Sequence, residues 1–269
     1  MKFRTIVDIP QPGFKIEPCE RMLFVGSCFA AEMGKHFAEE KFRVTVNPFG
    51  TMYNPASILH TVVGVEGEAP QTVVLTLGTN HVYILNETGE IVDNCQKRPQ
   101  KLFTERELSV EECTNFLQQA VDQLLHRNPS VRIIVTVSPI RYAKYGFHGS
   151  QLSKATLLLA ADRLCQSYPE TVPYSPAYEI VNDELRDYRF YAEDMLHPSA
   201  QAVDYIWEQF SACYFSQATQ TFLQEWRPVK LALNHRPLHP ESEEYQAFLA
   251  SAHAKAQSLA EKYPGFALD

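Results

Sequence analysis

Residues 21–30 read Arg-Met-Leu-Phe-Val-Gly-Ser-Cys-Phe-Ala, an apolar run that ends in glycine and leads into a helical pattern. The apolar run predicts a buried β-strand at 21–26, and the following segment predicts a helix at 29–40. Gly26 permits a sharp turn between the two elements, and Ser27 then stands at the helix start, where backbone N–H groups are free. A strand followed at once by a helix is the unit from which parallel sheets are built.

The same alternation of short apolar runs and longer helical segments continues along the chain. Further strands are predicted at 43–46, 72–77, 131–137 and 172–175, and further helices at 54–63, 109–127, 152–167 and 199–213. Asn54 followed by Pro55 is typical of a helix start, and Asn128-Pro129 should end the helix before strand 131–137. This rhythm predicts an α/β protein with a parallel sheet covered by helices.

Two segments depart from the alternation. Residues 81–93 contain two apolar runs around Asn86-Glu-Thr-Gly89, which predicts a β-hairpin outside the main sheet. In the last part of the chain no strand pattern remains, and 241–262 predicts one amphipathic helix. We therefore expect a main domain over 1–215 and a helical C-terminal extension, 216–269, that packs on it.

Composition and charge exclude several classes of function. The chain of 269 residues has 24 basic and 32 acidic residues, which gives a net charge of −8, and it has no run of Lys or Arg that would bind phosphates. A nucleic-acid partner is therefore not expected. No apolar stretch has the length of a membrane span or a signal peptide, and the six cysteines form no Cys-x-x-Cys pair. These features predict reduced thiols in a cytoplasmic protein, and they leave the oligomeric state open.

Ser27 is the first candidate for chemistry, because active sites of open parallel sheets form at the carboxyl ends of the strands. Its hydroxyl is the predicted nucleophile, and backbone N–H groups at the helix start, including its own, could hold an oxyanion. Serine is also a preferred N-cap, and the two roles are compatible. Cys28 is a rival nucleophile by residue type, but if Ser27 points into the cleft its neighbour should point elsewhere, toward the core.

A general base is predicted in Asp194-Met-Leu-His-Pro-Ser199, which leads into the helix at 199–213. The spacing lets the carboxylate of Asp194 accept the Nδ1–H of His197, which leaves Nε2 free to take a proton from the nucleophile. The alternative is an Asp–His pair that only caps the helix. Because the motif follows late in the sheet and accompanies Ser27, we favour the catalytic interpretation.

Two further strand ends offer donors for an oxyanion. Gly50 follows strand 43–46 and could present its backbone N–H, and Asn80 follows strand 72–77 and could present its side-chain amide. Each signal is weak alone, since glycine and asparagine commonly make turns. They are kept as candidates because of their order along the chain, each after a predicted strand and both between Ser27 and the Asp194–His197 motif.

The ordered set Ser27, Gly50, Asn80, Asp194 and His197 resembles the four sequence blocks of SGNH/GDSL hydrolases. In addition, residues 26–30, Gly-Ser-Cys-Phe-Ala, spell the motif that names the GSCFA family. The resemblance implies a flavodoxin-like, three-layer α/β/α fold and esterase chemistry with Ser27, Asp194 and His197 as the triad. Two positions depart from the wider SGNH pattern: no Asp stands between Gly26 and Ser27, and His81 replaces the Asp that often follows the asparagine.

Together these features predict hydrolysis of a carboxylic ester through an acyl-serine intermediate, without a metal or an organic cofactor. The substrate is expected to be a small-molecule ester, with an acylated carbohydrate as one candidate, and Arg141 and Tyr142 after strand 131–137 are the predicted substrate-binding residues. Two alternatives stay open on the same fold. One is a carbohydrate O-acyltransferase, and the other is a ligand-binding module without turnover.

Overall fold

The computed structural model describes Met1, residues 3–93 and residues 95–267. The main sheet contains β1 (Arg21–Gly26), β2 (Arg43–Val46), β3 (Thr72–Leu77) and β7 (Arg132–Val137), and a second sheet contains β4 (His81–Leu85), β5 (Ile91–Val92) and β6 (Phe103–Glu107). The helices are α1 (Cys28–Glu39), α2 (Pro55–Gly64), α3 (Val110–Arg127), α4 (Gly146–Ser167), the single turn α5 (Ala177–Glu179), α6 (Ala200–Tyr214), α7 (Gln217–Leu233) and α8 (Glu243–Lys262).

The main sheet is parallel, with the strand order β2-β1-β3-β7. From β1 the chain crosses to β2 on one side of β1 and then returns to β3 on its other side. The direction in which strands are added therefore changes between β1 and β3. Such a switch point opens a crevice at the carboxyl ends of the two strands. The predicted strand at 172–175 is only partly formed: the segment runs beside β7, where the Val135 N–H donates to the Pro173 carbonyl at 3.1 Å and the Ser175 N–H donates to the Val135 carbonyl at 2.9 Å, but its pairing is limited to one isolated bridge at Tyr174. Pro173 has no N–H to donate, which keeps the pairing short.

The sheet is covered on both faces, which confirms the predicted three-layer α/β/α fold. Alternate residues of each strand enter different cores, as the pleat of a strand requires. On β1, Met22 and Phe24 face the core with α1 and α6, whereas Leu23 and Val25 face the core with α2, α3 and α4. The predicted helix starts are confirmed to within two residues, except that of α4, which begins at Gly146 rather than at 152.

The second sheet stands apart from the main one and is antiparallel, with the order β5-β4-β6. The predicted hairpin is confirmed, since β4 and β5 pair through Tyr83 with Val92 and Ile84 with Ile91. Strand β6 was not predicted. Its sequence, Phe-Thr-Glu-Arg-Glu, has one apolar residue, and its other four side chains are exposed. A strand at a solvated edge carries no alternation of apolar residues to detect.

The C-terminal helices α7 and α8 continue the core that covers one face of the main sheet. The predicted helix at 241–262 is α8, and α7 precedes it. Phe222, Trp226 and Phe266 belong to the same apolar cluster as α1, and the Trp226 Nε1–H donates to the Glu39 carbonyl at 3.0 Å. The boundary at residue 215 stays a prediction, and residues 268 and 269 of the predicted extension lie outside the described residues. Among the helices described, none has the length and apolar character needed to cross a membrane.

Candidate active site

The turn after β1 is fixed by contacts with β3. Gly26 has φ +144°, and a Cβ there would lie 2.1 Å from the Thr76 carbonyl oxygen, so only glycine fits. The Ser27 N–H is shared between two acceptors on Thr76, the carbonyl oxygen at 3.1 Å and Oγ1 at 3.0 Å. These bonds close the chain tightly onto the neighbouring strand and set the direction of the next two side chains.

The Ser27 side chain is part of this closure. It is fully buried, accepts from the Phe29 N–H at 3.3 Å as the N-cap of α1, and shares a hydrogen bond with Thr76 Oγ1 at 3.2 Å. Both its position and its hydroxyl are therefore used in holding strand and helix together. This corrects the expectation that Ser27 points into the cleft, because a substrate cannot approach a fully buried hydroxyl with two partners.

Cys28 points the other way and lines a cavity of about 760 Å³ whose wall also includes His197. The thiol is partly exposed, and its Sγ lies 3.9 Å from the Tyr53 hydroxyl. The expectation that Cys28 points away from the cleft is therefore wrong. A sequence signal existed, since the SGNH pattern has one residue between its glycine and its nucleophile. Counted from Gly26, that spacing selects residue 28.

The loop before α6 holds Asp194 and His197 together. The Nδ1 of His197 lies 2.5 Å from Asp194 Oδ2, the hydrogen bond that the spacing predicts. Asp194 Oδ1 accepts from the backbone N–H groups of His197 at 3.0 Å and Leu196 at 2.9 Å, around Met195 with φ +59°. These two backbone donors, with the imidazole, lower the pKa of Asp194 to about 2. The carboxylate is therefore ionised at neutral pH and fixes the orientation of the ring.

Arg141 braces this loop from the segment after β7. Its Nη1 donates to the Met195 carbonyl and its backbone N–H donates to the Leu196 carbonyl, both at 3.0 Å. Its guanidinium also lies over the ring of Tyr191, 5.3 Å from the centroid. Arg141 therefore holds the loop, and it also lines the cavity. Its predicted contact with the substrate stays a prediction.

The two further donors that the sequence suggested for an oxyanion are already used. Gly50 is exposed, has φ +100°, and donates its N–H to the Asn47 carbonyl at 2.8 Å in a turn. Asn80 is buried, and its Nδ2 donates to the Leu108 carbonyl at 2.8 Å. Neither residue lines the cavity that contains Cys28 and His197. Gly50 therefore belongs to a local turn, whereas Asn80 connects the segment after β3 to Leu108, just before α3. The role of either residue in an oxyanion hole stays a prediction.

The rest of the cavity wall comes from the second sheet and from the loop between β7 and α4. Tyr142 and Tyr145 belong to this loop, and the Tyr145 ring stacks on His81 with centroids 3.6 Å apart. Burial of the His81 ring lowers its pKa. Lys144 forms an ion pair with Glu105 of β6 at 2.8 Å. The second sheet and this loop therefore supply aromatic and charged residues to the cavity that contains Cys28.

A buried lysine, which the sequence analysis did not identify, supports the strand ends beneath this wall. The Nζ of Lys154 donates to the carbonyls of Gly78 and Ser138, each at 2.7 Å, just after β3 and β7. Burial lowers the pKa of Lys154 to about 7.

The residues described in the structure contain no group of three or more His, Cys, Asp or Glu side chains that could hold a metal ion.

Comparison with known sequences gives a family. The profile of the GSCFA family matches residues 21–71 and 65–210, and the profile of the GSCFA domain protein, C-terminal domain, matches residues 226–269. No curated protein matches the chain. The two profiles together span both the α/β part and the C-terminal helices.

Several solved structures share parts of this architecture at low sequence identity. A GDSL-like lipase from Bacteroides thetaiotaomicron is 14% identical, with a TM-score of 0.47, and the match covers 79% of this chain and 92% of that one. A catalytic mutant of an acetylxylan esterase from Geobacillus stearothermophilus is 14% identical, with a TM-score of 0.47, covering 76% and 98%. A carbohydrate esterase of family 3 from Talaromyces cellulolyticus is 10% identical, with a TM-score of 0.41, covering 76% and 99%.

Proposed function

This chain belongs to the GSCFA family, and from that premise we propose that it hydrolyses carboxylic esters through an acyl intermediate on the Cys28 thiol. The observation that supports the proposal is the shared cavity of Cys28 and His197, from which Ser27 is withdrawn by burial. The proposal keeps the ester hydrolysis that the sequence predicts and moves the nucleophile from residue 27 to residue 28.

The first half of the reaction transfers the acyl group to the protein. His197 Nε2 takes the proton of the Cys28 thiol, and the thiolate attacks the ester carbonyl, so that an S–C bond forms. The C–O bond to the alcohol then breaks, and the leaving alkoxide receives the proton from the imidazolium. Because Asp194 holds the hydrogen on Nδ1, Nε2 is the nitrogen left free for this exchange.

The second half regenerates the thiol. Water loses a proton to His197 Nε2 and attacks the thioester carbonyl. The S–C bond then breaks to release the acid, and the imidazolium returns the proton to the Cys28 thiolate. Cys28 is the first residue of α1, and the positive end of the helix dipole favours the thiolate charge in both halves. No metal or organic cofactor enters these steps.

Trapping the acyl intermediate tests this proposal. The protein is mixed with an aryl acetate, quenched in acid, and examined by intact-mass and peptide mass spectrometry. We expect an acetyl group on Cys28 that hydroxylamine removes, as a thioester requires, and no such adduct in Cys28→Ala. Ser27→Ala should still form the adduct. An acetyl group on Ser27 instead would restore the serine mechanism predicted from the sequence.

Two labelling reagents separate an enzyme from a module that only binds. Iodoacetamide reacts with thiolates, and fluorophosphonates react with activated serine hydroxyls. We expect rapid alkylation of Cys28 that falls when His197 is replaced by Ala, and no fluorophosphonate label at Ser27. A Cys28 thiol that reacts no faster than free cysteine, with no acyl adduct, would favour the ligand-binding module.

A further inference from the structure

Attack on an ester by Cys28 requires a hydrogen-bond donor for the oxygen that becomes negative. The Cys28 N–H, at the first position of α1, is one such group. The two additional donors expected from the sequence, Gly50 and Asn80, are hydrogen-bonded elsewhere. A thiol-based site in this cavity therefore needs another donor near the sulfur.

We infer that the hydroxyl of Tyr53 is this donor and holds the oxyanion formed when Cys28 attacks an ester, an inference that rests on Cys28 as the nucleophile. The Tyr53 hydroxyl lies 3.9 Å from Cys28 Sγ, and both residues line the cavity. In the tetrahedral intermediate the oxyanion is two bonds from the sulfur. A donor at this distance from Sγ is thus within hydrogen-bond reach of that oxygen.

Tyr53 is held in position by both its backbone and its ring. Its carbonyl accepts from the N–H groups of Thr79 at 2.7 Å and Gly78 at 3.0 Å, just after β3. The next residue, Asn54, caps α2. The ring meets that of Tyr142 edge-on, with centroids 6.1 Å apart and planes at 88°. A donor fixed before the substrate arrives costs little reorganisation during the reaction.

The protonation state and the exposure of Tyr53 fit a donor that meets substrate. Burial, and next the charge of Cys28, raise the pKa of Tyr53, so the hydroxyl keeps its proton at neutral pH. The residue is 40% exposed, so an ester can reach it. Other tyrosines of the cavity are less suited, since the Tyr142 hydroxyl is buried without a partner in the described residues and the Tyr83 hydroxyl is bonded to Lys144.

The variant Tyr53→Phe separates oxyanion binding from activation of the thiol. Two second-order rates are compared at Cys28 in the unaltered protein and the variant: alkylation by iodoacetamide, which forms no oxyanion, and acylation by an aryl acetate, which does. We expect acylation to fall about 100- to 1,000-fold. Alkylation should stay within a few-fold, because the thiol and His197 are unchanged.

Two results would overturn the inference. A parallel fall of both rates would mean that Tyr53 acts on the thiol, and an unchanged acylation rate would mean that it has no part in the reaction. Tyr245→Phe, in α8 and away from the cavity, is the matched control, and thermal unfolding of all three proteins checks that the fold is kept. If the unaltered protein forms no thioester on Cys28, the proposed function fails, and this inference fails with it.

Discussion

The turn after β1 and the loop before α6 supply reactive groups to the same cavity, yet they are built differently. In the turn, Ser27 is fully buried and its neighbour Cys28 faces the cavity. In the loop, the side chains of Asp194 and His197 are both about half exposed, at 45% and 44%, and bond each other directly.

The difference lies in the range of the contacts that set each geometry. The loop is held by bonds from Asp194 to residues two and three positions ahead, so its short sequence is enough to predict the pair. The turn is held by Thr76, 49 residues away, which captures the Ser27 hydroxyl. A side chain suited to catalysis by its type can therefore be used up by a hydrogen bond to a residue distant in the sequence, and only the structure shows this.

The largest expected effect tests whether the two regions act as one unit. We expect Cys28→Ala and His197→Ala each to lower kcat/KM for an aryl acetate by at least about 1,000-fold. The double variant should be no worse than either single one, because each replacement alone abolishes thiolate attack. Initial rates with the three variants measure this. Multiplicative losses in the double variant would contradict a shared step.

A smaller effect is expected for the residue that orients the imidazole. Asp194→Asn keeps an oxygen for the backbone N–H groups of Leu196 and His197, but it removes the charge that fixes the Nδ1–H tautomer. Because Asp194 is exposed and water can partly replace it, we expect kcat/KM to fall about 10- to 100-fold. Asp183→Asn, an exposed position outside the cavity, is the control. If kcat/KM is unchanged in Asp194→Asn, Asp194 only holds the backbone of the loop and does not assist His197.

The pH dependence of the rate should show no titration of Asp194 near neutrality. Since the pKa of Asp194 is lowered to about 2, its carboxylate stays ionised at any pH above that value. Its contribution to the native state is present above the ordinary aspartate pKa and is lost only as the pH falls toward 2. Asp194 should therefore contribute no change in kcat/KM between about pH 8 and about pH 5, and the profiles of the unaltered protein and of Asp194→Asn should have the same shape over that range in initial-rate measurements with an aryl acetate. A change in the shape of the profile in Asp194→Asn would contradict this.

The smallest expected effect on activity is that of Ser27→Ala. Removal of the N-cap oxygen and of its bond to Thr76 should lower the free energy of unfolding by about 1–2 kcal/mol, measured by urea denaturation. Turnover by the folded protein should stay within a few-fold. Ser109→Ala, which removes the N-cap of α3 at a position that does not line the cavity, is the matched variant. A large loss of turnover without loss of stability would return the nucleophile to residue 27.

Much of the fold could be predicted because the relevant patterns are local. Strands β1, β2 and β3 and the helix start at Asn54-Pro55 follow from apolar runs and capping residues. The same patterns failed where distant contacts or solvent decide. Strand β6 has exposed polar side chains, and Asn80 meets a carbonyl 28 residues away. The strand predicted at 172–175 is cut short for a local reason, since Pro173 has no N–H to donate.

The polar composition of β6, which prevented its prediction from the sequence, also has a structural consequence. In the order β5-β4-β6 this strand forms an outer edge, and an unpaired edge is a template on which another molecule can add a strand. Glu105, Arg106 and Glu107 line it with fixed charges. Aggregation through this edge would require those charges to be desolvated. The residues that make β6 hard to recognise in the sequence therefore also oppose fibre-like growth of the second sheet.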